Sequence, residues 1–187
     1  MEGLKDNGFL FPYIRFFNAS MHGGKMDFYI GNTMVAASIG FGQYTGYMKC
    51  KTGPQSYKVT REGKKDDVIE KIIIEQNVGE VTTLCMTGKA DNPQIFVINE
   101  PTDKNNITYG HLRICNLCPE KISFDVYANN KKILGDIGYR EISKYMEMHG
   151  AEYDFTVFDN FICATPLPYP VTFCTQSPYC ALSFPCL

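Results

Sequence analysis

The residues of this chain best suited to chemistry are its eight cysteines. Cys115 and Cys118 stand in a C-x-x-C arrangement, which is the spacing of a zinc half-site. The sequence offers no second C-x-x-C and no paired histidines to complete four ligands. Cys115 and Cys118 are therefore weak metal candidates, and no cofactor is predicted.

Disulfide crosslinking is the other chemistry open to these cysteines. Cys174, Cys180 and Cys186 stand six residues apart in a stretch, 163–187, that lacks Asp, Glu, Lys and Arg and contains five prolines. Six extended residues span roughly 20 Å, whereas a disulfide needs Cα atoms within about 7 Å. These thiols are expected either to bond to distant regions or other chains, or to pack as small buried hydrophobes. The crosslinking candidates are Cys163, Cys174, Cys180, Cys186, Cys50, Cys115 and Cys118.

Catalytic machinery is not predicted. The histidines, His22, His111 and His149, occupy unrelated positions, and the sequence contains no glycine-rich loop of a phosphate-binding type. The chain is therefore not expected to be an enzyme, and no catalytic residue is assigned.

The elements that must position the cysteines occur as an internal repeat in the sequence. Ile14–Val59 reappears as Leu112–Val157 without insertion or deletion, at a constant shift of 98 residues. The identical positions include Arg15 with Arg113, Asn18 with Asn116, Asp27 with Asp125, Ile39 with Ile137, Gly40 with Gly138 and Tyr47 with Tyr145. The chain is a tandem of one module.

Alternation of apolar and polar residues predicts β-strands. Met26–Ile30 and its copy Phe124–Ala128 both alternate with a period of two, which indicates half-buried strands. Arg15 and Asp27 are predicted to form a cross-strand ion pair. Gly40 and Gly138 are predicted to occupy positions that need a positive φ or a bulge. Short strands at this spacing indicate all-β sandwich modules.

The second copy is expected to be incomplete. The last two or three strands of the first copy are predicted between Lys71 and Ile98, and the shift of 98 moves their equivalents into residues of different composition. The predicted organisation is an arm at 1–12, a complete module at 13–99, a linker at 100–110, a truncated module at 111–162 and an uncharged Cys/Pro-rich segment at 163–187. A sandwich without its closing strands has an open edge that another chain can fill, for example with the N-terminal arm Gly8–Pro12.

The charge and hydropathy of the chain restrict the kinds of partner that it is expected to bind. The net charge is −2, hydrophobic residues make up 44% of the chain, and lysines and arginines do not cluster into a stripe. Nucleic-acid binding is not expected. No apolar run approaches the roughly 18 residues of a membrane helix, and the first residues do not resemble a signal peptide, so synthesis in the cytosol is expected.

The sequence resembles a bacterial family catalogued as domain of unknown function 4397. The resemblance rests on an R-F-x-N-A-S-like strand at Arg15–Ser20, a D-x-Y motif at Asp27–Tyr29 and an aromatic G-x-Y-T segment at Gly42–Tyr47. It implies tandem immunoglobulin-like antiparallel β-sandwiches, often on bacterial surfaces, and no catalytic residues. A cysteine-rich form without a signal peptide resembles, by analogy, spore coat or appendage proteins.

The expected function is structural. The chain is predicted to polymerise with copies of itself into a fibre or layer of a bacterial spore or cell surface, through strand complementation and disulfides. Other surface or coat proteins are further candidate partners. The alternative is an adhesin-like module that binds a glycan or protein through its loops.

Overall fold

The structure is a computed structural model that describes residues 11–100, 110–120, 123–149, 153–159 and 179–184. The ordered elements among these residues are all β-strands, which confirms the predicted all-β class. No helix in the described part of the chain is long and apolar enough to cross a membrane. The chain divides into two compact units between Lys104 and Asn105, here called the first and second modules.

The first module is a two-sheet sandwich. One sheet has the order β4-β1-β7-β8 and the other the order β3-β2-β5-β6. Neighbouring strands are antiparallel except for β1 and β7, which are parallel. The strands are β1 (Tyr13–Asn18), β2 (Met26–Ile30), β3 (Thr33–Ile39), β4 (Met48–Lys49), β5 (Gly53–Arg61), β6 (Val68–Gln76), β7 (Val81–Lys89) and β8 (Asn92–Glu100).

The second module repeats this strand order within its described residues. Its sheets have the orders β12-β9-β14 and β11-β10-β13. The counterpart of β6 would fall at 166–174, outside the described residues. The strands are β9 (Gly110–Asn116), β10 (Ser123–Ala128), β11 (Lys131–Gly138), β12 (Met146–Met148), β13 (Phe155–Asp159) and β14 (Tyr179–Phe184).

β14 corrects the expectation that the second module lacks all its closing strands. It lies parallel to β9, with Tyr179 opposite His111 and Phe184 opposite Asn116. In the first module β7 lies parallel to β1 with the same pairs shifted by 98, from Tyr13 with Val81 to Asn18 with Met86. The uncharged Cys/Pro-rich segment therefore contributes the strand equivalent to β7.

The sandwich architecture agrees with the immunoglobulin-like prediction, whereas the strand order is different. In an immunoglobulin constant domain the third strand lies in the sheet opposite the second. Here β3 pairs with β2 in the same sheet, and β1 and β4 share the other sheet. The likeness therefore holds for the two packed sheets and not for their connections.

Each module has its own core. In the first module the rings of Phe16 and Phe28 stack with centroids 4.9 Å apart, and Phe28 and Tyr57 stack at 6.1 Å. The equivalent positions of the second module hold Ile114, Val126 and Phe155, all buried. Burial of this apolar surface is the main stabilisation available to each sandwich.

Candidate functional site

The asparagine shared by both copies fixes the loop that follows the first strand of each module. Asn18 is fully buried, donates from Nδ2 to the carbonyl of Ile39 at 2.9 Å and accepts at Oδ1 from the amide of Ser20 at 3.0 Å. Asn116 makes the equivalent bonds to the Ile137 carbonyl at 3.0 Å and from the Cys118 amide at 2.9 Å. The identity of this residue in both copies therefore has a structural cause.

The predicted ion pair between Arg15 and Asp27 is wrong, because β1 and β2 belong to different sheets. Asp27 is buried and accepts from the amides of Ser38 at 2.9 Å and Gly63 at 2.8 Å. Ser38 has a φ of 58°, in the left-handed region. The Asp27 carboxylate stabilises an irregular turn of β3. Strand β2, which carries Asp27 and was predicted to be half-buried, is buried on both faces.

Arg15 instead lies against tyrosines. Its guanidinium carbon is 4.7 Å from the centroid of the Tyr47 ring and 5.9 Å from that of Tyr44. Its Nε donates to Thr83 Oγ1 at 2.8 Å, and its Nη2 lies 3.7 Å from a carboxylate oxygen of Glu100. Tyr44 and Tyr47 remain 64% and 46% exposed.

The second module keeps half of this arrangement. The guanidinium carbon of Arg113 lies 4.8 Å from the centroid of the Tyr145 ring. Ile142 stands at the position of Tyr44, and Ala181 at the position of Thr83. The arginine–tyrosine stack is therefore common to both modules, and the second tyrosine is specific to the first.

The β9–β14 pair is the candidate site for assembly. Strand β7 is bordered by β1 on one side and β8 on the other. Within the described part of the chain, β14 borders β9 alone and ends its sheet. Sequence reasoning missed β14 because of its composition, although the shift of 98 aligns Leu84 with Leu182 and could have located it.

The structure separates the crosslinking candidates into three groups. Cys50 and Cys115 are buried thiols outside any disulfide, as is Cys85. Cys118 is buried and disulfide-bonded, with a partner sulfur outside the described side chains. Cys163, Cys174 and Cys186 lie outside the described residues, and Cys180 lies in β14, whose backbone alone is described.

Burial governs the chemistry of Cys50. Its Sγ lies 3.6 Å from the Pro12 carbonyl oxygen and 3.9 Å from Gln76 Oε1. Desolvation raises the pKa of this thiol, the Tyr57 hydroxyl beside it lowers the pKa, and the carboxylate of Glu80 raises it again, with a net upward shift. A raised pKa keeps the thiol protonated and unreactive at neutral pH. Cys50 is poorly placed to crosslink in the folded module.

The metal candidates Cys115 and Cys118 do not form a ligand cluster with described neighbours. Among the described residues, no group of three or more His, Cys, Asp or Glu side chains could hold a metal ion. The disulfide of Cys118 also removes one of the two thiolates that a zinc half-site requires.

Comparison with known proteins identifies a family without an assigned activity. The family model described as a domain of unknown function, DUF4397, matches residues 12–121 and again residues 110–173. The two matches follow the two modules. No curated protein matches the sequence.

Proposed function

The chain belongs to the family of domain of unknown function 4397, and from this premise we propose that it is a structural subunit that assembles with copies of itself. The assembly is a fibre or layer of a bacterial spore or cell surface. The spore location rests on analogy with cysteine-rich coat proteins.

The attachment of β14 is the observation that carries this proposal. β7 is enclosed by two strands and follows β6 after a short turn, residues 77–80, in which the Asn77 amide donates to Glu80 at 2.8 Å. β14 borders β9 alone among the described strands, and residues 160–178 separate it from β13 in the sequence. Of the two equivalent strands, β14 has fewer neighbouring strands in the described part of the chain, so it is the candidate for exchange.

In this proposal, strand complementation is an exchange of β14 between copies of the chain. The β14 of one copy pairs with the β9 of the next in the same parallel register that it has within one chain. The nineteen residues 160–178 could span up to about 60 Å when extended. Exchange of an identical element is a low-cost route to association, and a head-to-tail exchange that does not close into a ring produces a fibre.

Disulfides would lock the exchanged strand. Cys163, Cys174, Cys180 and Cys186 belong to the segment that carries β14, and the disulfide of Cys118 lies two residues after β9 ends. A disulfide between copies would add typically about 2–4 kcal/mol. Cys50 and Cys115 take no part, because their side chains are buried in the modules.

A proline in β14 tests the route of assembly. Leu182→Pro removes a backbone N–H and disfavours the strand, whereas Leu182→Ile keeps both the N–H and the apolar character. We expect wild type and Leu182→Ile to form oligomers in light scattering and electron microscopy, and Leu182→Pro to remain monomeric. Non-reducing gels should show interchain disulfides in the first two proteins.

The possible results separate two kinds of failure. A wild-type protein that stays monomeric at all concentrations, with and without reductant, would contradict self-assembly itself. Assembly of Leu182→Pro equal to wild type would preserve self-assembly and reject β14 as the exchanged strand.

A second candidate function is supported by the exposed rings of Tyr44 and Tyr47. Aromatic side chains held beside an arginine are common in binding surfaces, so a binding module for a glycan or protein is the alternative. Tyr44→Ile copies Ile142 of the second module and should abolish binding to a glycan array without changing stability. Assembly by wild type with no glycan bound would favour the structural role.

A further inference from the structure

Three polar side chains are buried in the core of the first module. Cys50, Tyr57 and Gln76 are 7%, 0% and 1% exposed. Cys50 follows β4, which belongs to one sheet, whereas Tyr57 lies in β5 and Gln76 ends β6, which belong to the other. The cluster therefore lies where the two sheets of the sandwich face each other.

The cluster has more donors than acceptors. The Cys50 thiol lies beside the Tyr57 hydroxyl, 3.9 Å from Gln76 Oε1 and 3.6 Å from the Pro12 carbonyl oxygen, to which it can donate. The Tyr57 hydroxyl and the Gln76 Nε2 are buried, and neither reaches hydrogen-bond geometry with a described residue, although the hydroxyl lies beside the weakly accepting Cys50 sulfur. Native proteins seldom leave such groups unsatisfied, so each requires an explanation.

We propose that one water molecule is bound between Tyr57, Gln76 and Cys50 and bridges the two sheets of the first module. The water accepts from the Tyr57 hydroxyl and from Gln76 Nε2. It donates to the Cys50 sulfur, which is the contact that joins it to the other sheet. Three bonds of this kind are typical of a buried structural water.

The charges around the cluster select a neutral ligand. Burial raises the pKa of both the Tyr57 hydroxyl and the Cys50 thiol, so both stay protonated. The Glu80 carboxylate also raises the pKa of Cys50, which shows that negative potential reaches the cluster and disfavours an anion. The two unsatisfied donors disfavour a cation, so a small neutral acceptor remains.

The second module provides an internal control. Met148 stands at the position of Cys50 and Phe155 at that of Tyr57, so two polar groups of the cluster are replaced by apolar ones. Phe155 is 7% exposed and belongs to the core of its module. The same fold is therefore built with Cys50 and Tyr57 in one copy and with Met148 and Phe155 in the other, while Cys174, at the position of Gln76, lies outside the described residues.

Magnetic relaxation dispersion of water oxygen in the full chain tests the site, because it counts long-lived bound waters. Tyr57→Phe copies the second module and removes one oxygen atom with little change of shape. We expect it to lose one long-lived water and to lower the thermal midpoint of the first module by a few degrees. The control, Phe155→Tyr, should leave the count unchanged.

The water count decides the outcome. An unchanged count in Tyr57→Phe would overturn the proposal, whatever happens to the thermal midpoint. A rise in the midpoint with an unchanged count would show that the Tyr57 hydroxyl is buried without a partner. Loss of one water in Tyr57→Phe and also in Gln76→Leu would establish that both side chains hold the same molecule.

Discussion

The two modules use one fold with different cores. The first packs a stack of three rings, Phe16, Phe28 and Tyr57, between its sheets. The second has Ile114 and Val126 in the first two places and keeps a ring only at Phe155. The fold therefore does not depend on which apolar side chains fill its centre, provided that the space is filled.

Polar residues that are identical in the two modules have a different structural role. Asn18 and Asn116 bond the loop after the first strand, while Asp27 and Asp125 accept from the amides of Ser38 and Asp136 at 2.9 Å. These bonds fix turns that carry unusual backbone angles. The comparison teaches that the repeat is constrained at these turns and varies at the ring-stack positions of its core, although the core pair Val59 and Val157 is identical.

Truncation of the ring stack should give the largest difference between the modules. Phe16→Ala removes a fully buried ring and should cost about 4 kcal/mol, whereas Ile114→Ala removes a smaller side chain and should cost about 3 kcal/mol. Native-state hydrogen exchange, read separately for the amides of each module, measures both values. Equal losses would contradict the expectation that the larger buried ring contributes more to stability than the smaller side chain.

Removal of the shared asparagine should affect both modules alike. Asn18→Ala and Asn116→Ala each leave a buried carbonyl and amide without their partners, at a cost of about 2–3 kcal/mol. Asn→Asp at each position keeps the acceptor but turns a carboxylate oxygen toward the Ile39 or Ile137 carbonyl in a buried site, and should cost at least as much. A loss confined to one module would contradict the structural explanation of this identity.

The sequence predicted the parts of this comparison that depend on local pattern. Met26–Ile30 forms the strand expected from its alternation, and the tandem repeat gave the two modules. For Gly40 and Gly138 the predicted alternatives were a positive φ or a bulge. Neither glycine has a positive φ, whereas a register shift of the strand lies just before each of them. The left-handed residues of this irregularity are Ser38 and Asp136, two positions earlier. An acceptor on the neighbouring strand stabilises that conformation, and single-residue propensity does not contain this information.

Tertiary pairing explains the other differences from the prediction. Alternation placed Arg15 and Asp27 on neighbouring strands, but it cannot assign β1 and β2 to different sheets. Composition hid β14, because an uncharged segment rich in Pro and Cys does not resemble a strand. The constant register of the repeat was the better guide, since it carries long-range information.

Alkaline pH should weaken the first module through a polar core that the second module lacks. The pKa of Cys50 is raised above its ordinary value of 9.0, so the folded state keeps a proton that the unfolded state releases. This stability is complete below about pH 9 and is lost as pH rises through the folded pKa. The loss is at most about 1.4 kcal/mol per pH unit. Cys50→Ser should flatten the slope measured by hydrogen exchange, and an unchanged slope would exclude this thiol as its source.

The arginine–tyrosine stack should give the smallest difference, in favour of the second module. Arg113 is buried, whereas Arg15 is half-buried. Cation–π attraction grows as water is removed, so Tyr145→Leu should cost about 1 kcal/mol and Tyr47→Leu about 0.5 kcal/mol. Leucine keeps most of the apolar contact, and pairing each change with Arg→Lys in a double-mutant cycle isolates the ring–guanidinium term. A larger coupling for Tyr47 would show that Thr83 and Glu100, which also hold Arg15, strengthen the stack more than burial does.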